Sequence, residues 1–209
     1  MQRQAVSLEN APSDQSVRRR IIAAARQHFF THGFRGVTMD DLAQDLGMSK
    51  KTLYAHFAGK NALLEAILQT KFSEAEAELA SITADCPADF VTALHRLLAC
   101  AQKHTEEIQP PFVRDIQREA PELFQLVERR RRDVIGRYFS KLLGEGRREG
   151  LIRRDIPVSI MIEILLGTIS SVINPPKLAE LGLTVKGGFN AIITMFLEGA
   201  VTAEGKTKI

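Results

Sequence analysis

The sequence predicts an all-α fold of about nine helices. Three features predict it: no stretch alternates apolar and polar residues, the β-branched residues are scattered among helix formers, and Gly and Pro divide the chain into segments with helical apolar spacing. The first segment, Ser16 to His32, carries Ile21, Ile22, Ala25, Phe29 and Phe30 at helical spacing, with Gly33 just past its end as a stop. A second begins at Thr38, whose hydroxyl can cap the free amides of the first turn, with Asp40 and Asp41 where the helix dipole favours acids. Leu42, Ala43 and Leu46 give it a buried face and Gly47 ends it. Ser49 caps a third helix carrying Leu53, Tyr54 and Phe57, which stops near Ala58 and Gly59. A fourth runs from Lys60 through Leu63, Leu64, Ile67, Leu68 and Phe72 to about Leu79.

Beyond Cys86 and Pro87 the helices lengthen. The pattern places one from Ala88 to about Ile108, a break at Pro110 and Pro111, a short helix to Arg118, and a long one from Pro121 to about Glu149. Pro121 and Pro157 read as first-turn prolines, because the amide there has no helical partner to lose. The last two helices cover Pro157 to Asn174 and about Val185 to Val201, separated by a loop with Pro175, Pro176 and Gly182.

Composition narrows the function classes. The 209 residues are 44% hydrophobic and 25% charged, close to soluble averages, so a disordered chain, a collagen-like repeat and a disulfide scaffold are unexpected. The longest strongly apolar stretch, Ile160 to Ile173, is interrupted by Glu163 and falls short of the ~20 residues that span a bilayer. With a polar start over Met1 to Ser16, the chain reads as cytoplasmic. Cys86 and Cys100 stand without metal-ligand spacing and read as small core residues, and neither a metal nor another cofactor is expected. Net charge is only +3. Residues 1–71, however, hold ten Lys and Arg against six Asp and Glu, whereas the remainder holds 18 against 19. The basic excess is confined to the first third.

That third also holds the motif that carries function. Thr38 to Phe57 reads as helix, three-residue turn, helix, with Ala43 where two helices approach, Gly47 where positive φ is needed, and Met48 and Leu53 where apolar side chains fix the angle. In such a helix-turn-helix the second helix lies in the DNA major groove. Leu53 and Phe57 are four apart and face inward, leaving Lys50, Lys51, Thr52, Ala55 and His56 to face a partner. Two Lys, a Thr, a Tyr hydroxyl and a His suit phosphate and base-edge contact, although the same residues also describe a solvated surface on a compact bundle.

The run FFTHGFRGVTMDDLAQDLGMSKKTLYAHFAGKNALL, Phe29 to Leu64, resembles the signature of the TetR family of bacterial transcriptional regulators. The Gly-Phe pair after the first helix, the Thr before the second, and the Ser, Leu-Tyr, His-Phe and Lys landmarks carry the resemblance, which covers only the first 70 or so residues. It implies that Thr38 touches phosphate, that Ser49 at the start of the recognition helix belongs to the DNA-binding set, and that Lys50, Lys51 and Thr52 reach bases or phosphates. It further implies that Tyr54 and His56 contact phosphate, and that Lys60 does so from the start of the fourth helix, where free amides help bind the anion. Many members carry Gly where this chain has Lys51, so a long cation there adds either a base contact or another phosphate contact. Arg18, Arg19 and Arg20, preceded by a tail containing Arg3, add salt-dependent attraction to DNA.

A single helix-turn-helix covers half a site, so specific binding needs two recognition helices roughly 34–36 Å apart. The last two helices are the candidates for a homodimer interface, through Ile160, Leu165, Ile169 and Ile173 on one and Phe189, Ile192 and Phe196 on the other. Ser159, Gly167, Ser170 and Ser171 form a seam of small residues that permits close approach. The middle helices should then hold an effector site, with Phe90, Leu94, Leu97, Leu98, Phe112, Ile116 and Phe124 as its apolar wall. Arg131 lies near the centre of the stripe formed by Leu123, Val127, Val134, Tyr138 and Leu142, whereas Arg129 and Arg132 point away. It is either an anchor for an acidic effector, or one half of an ion pair with Asp115 or Glu119, or a side chain that snorkels to water.

The expected division is a flexible tail over 1–15, a helix-turn-helix domain over 16–60, a connecting helix over 61–80, an effector-binding and dimerisation domain over 81–203, and a tail over 204–209. The expected function is a repressor that binds a palindromic double-stranded DNA operator as a homodimer and is released by an unknown small-molecule effector, with no membrane partner. An enzyme would need a nucleophile with a base, a carboxylate pair in a pocket or a Gly-rich phosphate loop, and none is found. A helical scaffold without specific DNA binding is the other reading, and negligible retention on DNA at low salt would mark it.

Overall fold

The computed structural model describes residues 11–84, 90–201 and 203. The expectations that fall on Arg3, Cys86 and the 204–209 tail lie outside them, as does the proposed helix start at Ala88. Among the described residues ten helices follow one another: α1 (Ala11–His32), α2 (Met39–Asp45), α3 (Lys50–His56), α4 (Lys60–Ala84), α5 (Phe90–Glu106), α6 (Pro110–Glu119), α7 (Pro121–Arg148), α8 (Val158–Val172), α9 (Pro175–Glu180) and α10 (Val185–Ala200). Extended pairing among the described residues is limited to an isolated antiparallel bridge between Ile152 and Val201.

The all-α expectation holds, with two corrections. First, α1 starts at Ala11, so residues 11–15 belong to a helix and not to the tail; Asp14 sits in its first turn, where the dipole favours an acid. Secondly, the segment expected to be a loop between the last two long helices contains a further short helix, α9. Pro175 and Pro176 occupy its first turn, and the Asn174 side chain caps it by accepting from the amide of Lys177. Here two prolines mark the start of a helix and not a gap between helices. Pro110 likewise opens α6, so the proline pair is a helix start as well as a break.

Two apolar cores share the molecule. The first gathers Ile21, Ala25, Phe29 and Phe30 of α1, Leu42 of α2, Leu53 of α3, and Leu63, Leu64 and Ile67 of α4. Phe112 and Ile116 of α6 join it from the far side of α5 in sequence. The second combines the end of α4 with α5, α7, α8 and α10, through Leu79, Phe90, Leu94, Leu97, Leu142, Leu143, Leu165 and Phe189. Helix α4 therefore runs from one core into the other, and α6, distant in sequence from the first core, completes it.

Candidate functional site

Short helices need caps to persist, and both helices of the helix-turn-helix have them. The Thr38 hydroxyl accepts from the Asp41 amide at 3.1 Å, while the Asp41 carboxylate accepts from the Thr38 amide at 2.9 Å and from its hydroxyl at 2.7 Å. Those hydrogen bonds hold the Asp41 carboxyl below the ordinary range. The turn closes at Gly47, whose φ of +62° is left-handed as its position requires, and Met48 donates to the Ala43 carbonyl at 3.0 Å. Ser49 accepts from the Thr52 amide at 3.0 Å and starts α3. Leu42, Ala43, Leu53 and Phe57 are buried beneath and fix the angle between the two helices.

The outer face of α3 carries part of the expected set. Ser49, Lys50, Lys51, Thr52 and Ala55 are exposed, and so is Tyr54 at 49%. Lys50 pairs with Asp40 at 2.5 Å. Among the described residues Lys51 has no ion pair and projects freely. His56 and Lys60 are placed differently from expectation. The His56 ring is only 11% exposed and its Nδ1 lies 3.5 Å from Asp14, because the extra N-terminal turns of α1 cover it. The Lys60 ammonium turns inward, 4.3 Å from the centre of the Phe34 ring and 5.7 Å from that of Phe29, and donates to the Arg35 carbonyl at 3.5 Å. Burial lowers its pKa against the opposing pull of nearby carboxylates. Arg18 lies over the Phe57 ring, while Arg19 and Arg20 are exposed at the start of the same helix.

A cavity of about 570 Å³ lies between the two cores, and Leu68, Phe112 and Ile116 of the first face Leu79, Val134, Phe139, Ile169 and Ile193 of the second across it. Of the expected effector residues, Phe112, Ile116, Phe124 and Arg131 line the cavity. Phe90, Leu94 and Leu97 are buried in the second core and Leu98 packs against it, so none of these four is on the wall. The α5 contribution comes instead from the same stripe two turns further on, Cys100, Ala101, His104 and Thr105. An apolar stripe shows which side of a helix is buried, not which part of it faces a void.

Arg131 is half-buried, and a single nitrogen, Nη2, donates to Glu128 at 2.7 Å and to the Ser170 hydroxyl at 2.9 Å. Its partner is thus the acid one turn earlier on its own helix; Asp115 instead accepts from the Arg35 amide at 2.9 Å and lies beside Arg114. Burial, opposed by Glu128, lowers the Arg131 pKa.

The wall of this cavity is bonded to α1 and the turn after it, a link that is not legible in the sequence. Lys71, buried and lining the cavity, binds Glu107; Glu107 accepts from Arg26 of α1 at 2.5 and 2.8 Å, and Arg26 also donates to Glu74 at 2.6 Å. Burial works against the Glu107 carboxylate, but the hydrogen bonds from Arg26 and Lys71 outweigh it and bring its pKa from 4.5 to about 2. The Gln109 amide, just ahead of α6, donates to the Phe30 carbonyl at 3.1 Å, and Phe30 meets Phe112 edge-on at 4.8 Å. Gly33 (φ +91°) lies so close to α6 that a Cβ there would come within 2.6 Å of the Asp115 carboxylate.

The residues expected at a dimer interface divide. Leu165, Ile169, Phe189 and Ile192 are buried within the single chain, and Ile173 and Phe196 are partly so. Ile160, at 49% exposed, shares its outer face with Ile164 at 55%, Gly167 and Ser171, and α10 adds Met195 at 77%. The exposed apolar surface therefore lies one step round each helix from most of the expected residues. No helix among the described residues is long and apolar enough to cross a membrane.

Residues 21–67 match the family model described as bacterial regulatory proteins, tetR family. The HTH-type transcriptional repressor DhaR of Mycobacterium sp. (strain GP1) is 24% identical over 155 residues, 73% of this chain and 78% of that protein. The HTH-type transcriptional regulator UidR of Escherichia coli (strain K12) is 41% identical over 54 residues, which span 26% of this chain and only 28% of UidR. Among solved structures, a TetR-family transcriptional regulator from Agrobacterium tumefaciens superposes with a TM-score of 0.70 at 20% identity, covering 90% of this chain and all of that one, a likeness of fold.

Proposed function

We propose that this chain, which belongs to the TetR family of bacterial regulatory proteins, is a cytoplasmic repressor that binds a palindromic operator as a homodimer and leaves it when a small molecule fills the cavity. The observation that carries the reading is the position of the cavity. Its wall includes α6 and Lys71: Asp115 of α6 accepts from the Arg35 amide in the turn ahead of α2, and Lys71 shares the Glu107 carboxylate with Arg26 of α1. A ligand that displaces α6 or draws Lys71 away from Glu107 changes where α1 and the helix-turn-helix sit. It lowers DNA affinity only to the extent that it prefers the displaced arrangement.

In this reading Lys50, Lys51, Thr52 and Tyr54 of α3 face the major groove and its phosphates, and Ser49 presents the start of that helix. Thr38 is spent on its capping box, and His56 and Lys60 reach phosphate only after leaving Asp14 and Phe34. Ile160, Ile164 and Met195, exposed around small residues, support pairing of α8 and α10 with a second copy. The mainly apolar cavity suits a hydrophobic effector, as Phe112, Ile116 and Phe124 provide the apolar contact, while Arg131 and Lys71 in its lining are already paired with Glu128 and Glu107. DNA selection with the purified protein, followed by a screen for compounds that release the selected duplex, tests the proposal. Retention on DNA should fall steeply with salt, and flat, negligible retention at low salt would sink it.

A further inference from the structure

We propose that Glu78 of α4 with Cys100 and His104 of α5 forms a site for a single Zn²⁺ ion in the wall of the cavity, with its fourth coordination position open to whatever the cavity holds. Cys100 and His104 are four residues apart and so lie on one face of α5, and that face packs against α4 at Glu78. The Cys100 Sγ, a His104 ring nitrogen and a Glu78 carboxylate oxygen all lie within 4.8 Å of one another, and the His104 Nε2 is already 3.1 Å from the Glu78 carboxylate. Zn²⁺ at its usual 2.0–2.3 Å from N, O and S ligands sets them roughly 3.3–3.7 Å apart in a tetrahedron, so side-chain rotation of about 1 Å closes the site without moving a helix.

One sulfur, one nitrogen and one oxygen form a borderline donor set that suits Zn²⁺ better than the all-oxygen cations Mg²⁺ and Ca²⁺. The three groups are buried or half-buried, unlike the exposed acidic clusters that proteins carry without a metal. Zinc takes His104 as a neutral imidazole, through one ring nitrogen. Burial and the Glu78 carboxylate push the Cys100 thiol up to about 11, so the ion must displace one proton, which leaves to solvent as the S–Zn bond forms. Lys103 donates to Glu78 at 2.9 Å from an exposed position and can stay as a partner to the carboxylate or swing into water. Cys100 and His104 both line the cavity, so the open position is reached from inside it. Three protein ligands and one exchangeable one are the arrangement of a site that binds a further molecule. The inference deepens the effector reading: the ligand would be an apolar molecule with a donor atom for zinc.

The test uses the full chain carrying Cys86→Ser, so that Cys100 is the one remaining thiol, freed of metal by chelation and titrated with Co²⁺. A thiolate-to-cobalt charge-transfer band should saturate at one equivalent per chain and vanish on adding one equivalent of Zn²⁺. Cys100→Ser should abolish the band, and His104→Gln should weaken Co²⁺ binding at least tenfold, with circular dichroism confirming that both variants are folded. Absence of the band, or its survival in folded Cys100→Ser, overturns the proposal. No DNA enters this experiment, so its failure and the failure of operator binding are separate results.

Discussion

The two cores differ in how completely they use their apolar residues. In the first, two short capped helices, α2 and α3, pack on α1 and α4 and leave little over: Ile21, Ala25, Phe29, Leu42, Leu53, Leu63, Leu64 and Ile67 all have zero exposure. Where it faces the second, a cavity of about 570 Å³ remains between them, and the second leaves Ile160, Ile164 and Met195 exposed on its outer side. A core without spare volume holds its surface residues in one arrangement, as a groove-reading helix needs. A boundary with spare volume can accept a ligand, and spare surface can accept a partner. The two meet at α6 and Lys71, where changes at one are felt by the other.

The largest effect is expected where the cores meet. Phe112 is 1% exposed, packs edge-on against Phe30 and lines the cavity. Phe112→Ala should cost about 3–5 kcal/mol in urea denaturation. A loss under about 1 kcal/mol would mean that α6 does not belong to the first core. Gly146→Ala probes the second core alone, because a Cβ there would fall 2.5 Å from the Phe90 ring and 2.8 Å from Ile152. About 1–3 kcal/mol of overpacking is expected, with DNA affinity of the folded protein unchanged. A fall in affinity at constant folding would show that the distinction between the cores is too sharp.

How far the sequence revealed each core follows from the same difference. The first core was legible because caps, a turn glycine and a few apolar positions define short helices locally: Thr38, Gly47, Ser49, Leu53 and Phe57 sit as the spacing requires. Its exceptions arise from contacts distant in sequence, as when Asp14 reaches His56 and Phe34 draws in Lys60. In the second core, periodicity located α5, α7, α8 and α10 but not their rotation about neighbours. Phe90, Leu94 and Leu97 thus proved to be packing where a cavity wall was expected, and Ile164 and Met195 are exposed where Leu165 and Ile192 were favoured. Cys100 showed no metal-ligand spacing to Cys86 because the groups beside it are His104 on its own helix and Glu78 on another.

Glu107→Gln sharpens the link between the cores. Arg26 and Lys71 would lose their shared carboxylate, and partial exposure of the site holds the expected cost to about 1–2 kcal/mol. The pH dependence has a definite sign. Glu107 titrates lower in the folded chain than in the unfolded one, so it stabilises fully above pH 4.5, and that contribution is lost as pH falls towards about 2. Urea denaturation across this window should show a shallower acid loss in Glu107→Gln than in the parent. Equal slopes would mean that the Arg26, Lys71 and Glu107 network does not form in solution.

The smallest effect on stability is expected on the outer face of α3. Lys51 is exposed and has no ion pair among the described residues, so Lys51→Ala should leave urea stability within about 0.5 kcal/mol. Lys60→Ala, which removes an ammonium from the Phe34 ring, should cost about 0.5–1 kcal/mol more. The informative measurement on Lys51 is therefore binding to operator variants. A phosphate contact weakens every sequence equally and reduces the salt slope by about one, whereas a base contact costs about 1–3 kcal/mol at one position and relaxes selectivity there. Unchanged binding to every variant would place Lys51 outside the groove, and with it the outer face of α3 as the reading surface. That result would leave the tightly packed first core without the role its rigidity suits.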